Sequence, residues 1–143
     1  MFITWPAIKS KATRIEFEIP ISKTKRFWDG LKEGEIYSTR CRSCGGKFFP
    51  PVADCPDCRS SDMEWVKLEG SGVVEAFTHV VVKPSSFQGM EPYTIAIARL
   101  EDGVKVLAWI REAGPTDVEV GMKVRLVVGA TLEGEASYWF VPV

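Results

Sequence analysis

Cys41, Cys44, Cys55 and Cys58 are the residues whose type and spacing most directly imply chemistry, forming the pattern C-x2-C-x10-C-x2-C. A C-x2-C pair in a tight turn brings two sulfurs to one side, and two such turns facing each other complete a tetrahedron of thiolates. Both pairs carry turn residues of their own: Gly45-Gly46 follows the first and Pro56 lies inside the second. Zinc is the expected ion, with iron bound in rubredoxin fashion as the alternative, because tetrahedral sulfur suits both. A shell of four thiolates leaves no open coordination position, so the metal is expected to serve folding rather than Lewis-acid catalysis. Disulfide pairing is the competing use of four cysteines, and a reducing compartment disfavours it.

Little else in the chain offers reaction chemistry. His79 is the single histidine and falls inside a strand-like stretch, where a hydrogen-bonded structural residue is the ordinary reading. Glu91, Glu101 and Asp102 are carboxylates in loop-like segments, for which solvation is the ordinary explanation. No Ser/His/Asp or Cys/His set can be assembled, and no phosphate-cradling GxxxxGK[ST] motif occurs. A closed metal site and one histidine are poor material for a stand-alone enzyme.

The elements that must position the cysteines follow from length and pattern. The 143 residues, 45% hydrophobic and 26% charged, are those of a globular chain with one ordinary domain or two small ones. No secretory leader and no bilayer-spanning apolar run is visible, so a cytoplasmic address without membrane contact is expected. Residues 1–20, with Phe2, Trp5, Ile15, Phe17 and Ile19 among charged neighbours, read as an extended arm or edge strand. Ser22 can cap a helix running to about Glu33, with Phe27 and Leu31 on one face, Trp28 beside them and Gly34 as its stop. The cysteine unit, Tyr37 to Trp65, is too small to fold on apolar burial alone.

Five strand-like stretches follow the Gly70 and Gly72 junction: Val73–Val82, Tyr93–Leu100, Val104–Ile110, Met122–Val128 and Tyr138–Val141. In the first, Val74, Ala76, Val80 and Val82 are expected on one face; in the fourth, Val124, Leu126 and Val128 alternate with Lys123 and Arg125. Asp102-Gly103 marks a hairpin between the second and third. The expected fold is mainly β: an arm over 1–20, a helix plus zinc ribbon over 21–69, and a five-stranded OB-fold barrel over 70–143, an SH3-like barrel being the alternative.

Particular residues carry a family resemblance. Phe27-Trp28, Leu31 and Gly34, then Arg40-Cys41-x-x-Cys44-Gly45, Phe49-Pro50-Pro51 and Cys55-Pro56-x-Cys58, resemble the family catalogued as domain of unknown function 35. Gly70-x-Gly72, Pro92-Tyr93, Ala96, Leu100 and Val120-Gly121-Met122-x-Val124 are similar to that family's OB-fold, so the resemblance runs from about residue 22 to the end. It implies a helix, a rubredoxin-like ribbon and an OB-fold working beside thiolase-like enzymes of acyl-CoA metabolism. All four cysteines, which some relatives lose, are kept here. The first 20 residues depart from the pattern, as does Glu112–Val120, where many OB-folds place a helix; a more open barrel side is expected there.

The resemblance implies an accessory subunit that docks on a thiolase-like enzyme and helps hold acyl-CoA, while the reaction stays on the partner. The OB-fold's ligand face would offer Tyr93, Ile95, Ile97, Arg99, Lys105, Leu107 and Trp109, with Lys83 and Phe87 from the neighbouring loop. Phe27, Trp28 and Phe49 would anchor the partner, or, together with Phe48, serve a purely structural adaptor without a small ligand. A single-stranded nucleic-acid module is the alternative, with Tyr93, Trp109 and Trp139 as stacking platforms. Charge opposes it: residues 1–40 carry eight Lys/Arg against five Asp/Glu, but residues 70–143 carry six against nine.

Overall fold

The computed structural model describes residues 6–143, so Phe2 and Trp5 of the expected arm lie outside the described residues. Residues 6–20 form no strand, which leaves the arm and removes the edge strand. The helix, α1 (Lys25–Lys32), starts later than expected. Ser22 is taken up in a turn closed by the Thr24 N–H on the Ile21 carbonyl (2.9 Å), and Thr24 occupies the cap position without a side-chain bond. Gly34, at φ 82°, ends it as expected. Gly30 costs helix propensity, yet a Cβ there would stand 2.7 Å from the Tyr37 ring, so the helix lies close against the ribbon only because this position is bare.

The ribbon is a three-stranded antiparallel sheet in which β1 (Tyr37–Cys41) lies between β2 (Lys47–Phe48) and β3 (Met63–Lys67). Five strands then close a barrel: β4 (Ser71–Val80), β5 (Tyr93–Leu100), β6 (Lys105–Ile110), β7 (Lys123–Ala130) and β8 (Ala136–Pro142). The order β4-β5-β6-β8-β7, with β6 and β8 parallel and the other pairs antiparallel, is that of an OB-fold. Closure leaves the barrel without a free strand edge.

The expected face of the first strand is overturned. A bulge between Val74 and Ala76 inserts one extra residue opposite β5, which moves the following residues to the other face. Val74 therefore points inward, Phe77 packs against the core, and Ala76 and Val82 are exposed. The expected alternation in β7 holds, with Val124 and Leu126 buried and Val128 packed beside them. The side of the barrel at Glu112–Val120 is closed rather than open: without a helix, the loop inserts Val118 and lays Ala113 against the core.

Phe27, Leu31, Ile36 and Leu68 belong to the same buried cluster as Val74, Val106, Val124 and Phe140, so helix, ribbon and barrel share one core. The hairpin turn at Asp102 reinforces this junction. Its carboxylate accepts the N–H groups of Glu69 and Gly70, each at 3.0 Å, and its carbonyl accepts Lys47 Nζ at 2.9 Å. A loop carboxylate for which solvation was the ordinary expectation is a clamp on the ribbon-to-barrel link.

Candidate metal centre and barrel-mouth cleft

Two turns with matching hydrogen bonds build the cysteine site. In the first, Cys41 N–H donates to the Gly46 carbonyl and Gly45 N–H to the Cys41 carbonyl, both at 2.8 Å. In the second, Cys55 N–H donates to the Ser60 carbonyl (2.8 Å) and Arg59 N–H to the Cys55 carbonyl (2.9 Å). The residue after each second cysteine takes a positive φ, 78° at Gly45 and 63° at Arg59, and only the first turn fills that position with the residue suited to it.

The four Sγ atoms lie within 4.8 Å of one another, with Cys41 to Cys58 at 3.5 Å and Cys44 to Cys55 at 3.6 Å. Bonds of about 2.3 Å from a tetrahedral ion set sulfur separations of about 3.8 Å, so the cage fits such an ion with little adjustment. Proton affinity is divided unevenly within it. The Cys44 N–H, working against desolvation and assisted by Cys58, draws Cys41 down to about 6. The Ser60 N–H pulls Cys58 in the same direction, but the neighbouring thiols and desolvation outweigh it and push Cys58 up to about 12. Thiols this close ionise together only around a cation, which is the chemistry of a bound metal.

A second site lies at the mouth of the barrel, between the loop over 83–92 and the turn over 131–135. Tyr93 and Trp109 face each other across β5 and β6 with ring centroids 4.3 Å apart and planes within 9°. Phe87 stands edge-on to both, at 6.0 and 6.4 Å. Arg111 lays its guanidinium 4.0 Å from the Trp139 ring centre and 5.9 Å from that of Trp109. No carboxylate pairs with Arg111 among the described residues. Phe87, Trp109, Arg111, Tyr138, Trp139 and Glu133 are among the residues that line a cleft of about 460 Å³. Trp139 packs directly on bare backbone, since a Cβ on Gly129 would stand 2.2 Å from its ring.

Two family descriptions match in tandem, "ChsH2, rubredoxin-like zinc ribbon domain" over residues 28–64 and "ChsH2, C-terminal OB-fold domain" over 65–129. A "DUF35 domain-containing scaffold protein" of Methanocaldococcus jannaschii is 38% identical over 104 residues, 71% of this chain and 74% of that relative. The chain belongs to the DUF35 family. The DUF35 likeness extends to the "Benzoylsuccinyl-CoA thiolase subunit BbsA" of Thauera aromatica, 27% identical over 63% of this chain and 60% of that one. Among solved structures, the "Ltp2-ChsH2(DUF35) aldolase" shares the fold of this DUF35 chain with a TM-score of 0.73 at 24% identity, over 90% of this chain and 98% of that one.

The residues expected to bind ligand separate into two groups in this DUF35 fold. Phe87, Tyr93 and Trp109 form the aromatic cluster just described. Arg99 and Lys105 lie opposite each other further along the same strands, away from the aromatic cluster, and share the Glu75 carboxylate at 3.3 and 2.8 Å. Lys83 turns onto the Met90 carbonyl and closes its own loop. Arg111 and Tyr138 were not legible as site residues, and Trp139 was legible only as a stacking surface. The parallel pairing of β6 with β8 at Ile110 and Phe140 brings them together, and no local pattern signals such a pairing.

The expected partner anchors also separate. Phe27 is buried and makes edge contacts with Trp28, Phe49 and Tyr138 at 5.1, 6.0 and 6.2 Å, so it fastens the helix to ribbon and barrel and is unavailable to a partner. Phe49 packs against the same core, whereas Trp28 is 45% exposed beside a groove of about 740 Å³. His79 bonds the Thr94 hydroxyl across the β4–β5 pair at 2.6 Å, a structural placement.

Proposed function

We propose that this chain is a non-catalytic accessory subunit that binds a thiolase-like enzyme and helps hold its acyl-CoA. The observation that carries the reading is the barrel-mouth cleft, where aromatic faces and the unpaired Arg111 stand together. A CoA thioester combines a planar base, phosphates and a flexible apolar arm, and stacking rings beside one guanidinium are the matching groups. Relatives named as scaffold proteins and as a thiolase subunit support the accessory role. In this reading the helix and ribbon, residues 21–69, face the enzyme through Trp28, and the OB-fold, residues 70–143, faces the thioester. Zinc on Cys41, Cys44, Cys55 and Cys58 holds the ribbon in shape; the donor set and spacing support zinc over iron only through the ribbon family's description.

Single-stranded nucleic acid is the weaker reading. The Tyr93–Trp109 stack suits bases, but the nearest cations on the same strands, Arg99 and Lys105, lie further along and share the Glu75 carboxylate, and residues 70–143 carry six Lys/Arg against nine Asp/Glu. The test is to co-express the chain with the thiolase-like proteins of its own organism and measure complex formation and CoA affinity. A stable complex is expected whose CoA affinity falls at least about tenfold in Arg111→Ala or Trp109→Ala, with the complex itself retained. Thioester turnover by the isolated chain, or no complex with any of those enzymes, overturns the reading.

A further inference from the structure

A CoA thioester has two chemically different ends, and the barrel-mouth cleft complements only one of them. The cleft lies between the connections that join the first to the second and the fourth to the fifth barrel strand, the loops that flank the ligand face of an OB-fold. Its volume of about 460 Å³ is that of a small-molecule site. Phe87, Trp109 and Trp139 give it ring surface. The Arg111 guanidinium lies 4.0 Å from the Trp139 ring centre, and Trp139 is itself packed on the bare backbone of Gly129. A guanidinium stacked in this way keeps its N–H edge in one plane, ready to hold a phosphate by two bonds.

Glu133 lines the same cleft, yet it forms no ion pair with Arg111 or with any other of the described residues. A carboxylate there repels phosphate and accepts N–H bonds, so it suits the amine edge of a base. Pantetheine has no ring to stack and no charge for Arg111 to meet. The base, its amine and the phosphates all belong to the nucleotide end.

We infer that the cleft grips acyl-CoA by its adenine nucleotide, with phosphate on Arg111 and the base among Phe87, Trp109 and Trp139, and leaves the pantetheine arm and thioester to the partner enzyme. This rests on the accessory-subunit reading, and its failure is distinguishable from the failure of that reading. The complex of the full chain with its thiolase-like enzyme is titrated with CoA, adenosine 3′,5′-bisphosphate, pantetheine and ATP. The bisphosphate, which is the nucleotide of CoA, is expected to displace bound CoA. Its affinity is expected to fall at least about tenfold in Arg111→Gln and less than about twofold in Lys105→Gln, with pantetheine affinity unchanged in both. Trp109→Leu carries the same expectation as Arg111→Gln and replaces it if that variant loses the partner. A cleft variant that weakens pantetheine rather than the bisphosphate, or that leaves CoA binding intact, overturns the inference and leaves the accessory role standing. ATP binding more tightly than CoA also overturns it, because the cleft then serves the free nucleotide. No complex, or a complex that binds CoA no better than the enzyme alone, overturns both.

Discussion

Ribbon and barrel are both small β-sheets, but their interiors are made of different materials. The fully buried side chains of the barrel are apolar, Val74, Val106, Val124 and Phe140, whereas those of the ribbon are Ser38, Thr39, Cys41 and Cys55. Thr39 uses its burial to accept the Val52 N–H at 3.0 Å, so even the centre of the ribbon is a polar contact. A barrel built this way gains stability roughly in proportion to apolar area removed from water. The ribbon has less such area, mainly Tyr37 and Trp65 beside the shared core, and what it lacks a metal cage and the shared helix must supply.

The comparison can be broken most decisively at the cage. Removing the metal with a strong chelator, or making Cys55→Ser, is expected to abolish slow amide exchange in β1–β3, because structural zinc in small ribbons contributes on the order of 10 kcal/mol. The β signal of the barrel should persist at reduced thermal stability, since Phe27, Ile36 and Leu68 join its core. Simultaneous, complete loss of both sheets would show that the two regions are one cooperative unit. Metal uptake by the stripped protein should weaken as pH falls, because the metal must displace protons from the cysteine thiols it binds. A metal titration followed across pH 5 to 8 reads this directly.

A barrel substitution should have the next largest effect. Phe140→Ala removes a ring with 0% exposure and is expected to cost about 3–5 kcal/mol by denaturant unfolding, while metal content stays near one per chain. Smaller again, Asp102→Ala should cost about 1–3 kcal/mol, since it frees the N–H groups of Glu69 and Gly70 at the junction. That loss should appear as faster exchange at those two amides. The smallest effect sharpens the comparison in the stabilising direction. Arg59→Gly removes a side chain from a φ of 63° and should raise stability by ~0.5 kcal/mol or more, provided the second turn is as metal-bound as the first. A decrease in stability would mean that Arg59 makes contacts its backbone strain conceals.

The metal cage was legible in the sequence because its ligands come as two local pairs, each held by hydrogen bonds spanning fewer than six residues. The barrel strands were legible for a related reason: alternation and the Asp102-Gly103 turn act over two to four residues, and the observed strands differ from expectation mainly at their ends. Where a decision was nonlocal, local pattern pointed the wrong way. The bulge after Val74 reverses a face because of how β4 meets β5, and the burial of Phe27 depends on Tyr138, more than a hundred residues away. Whether a cation is free is likewise a tertiary fact: Arg99 and Lys105 look available until Glu75 is found between them, and Arg111 looks ordinary until β8 brings Trp139 beneath it. Sequence determined the elements and the metal ligands, because both are set by neighbours along the chain. Only the closed barrel decided which aromatic and charged side chains share a cleft, because strand pairing sets those distances in space.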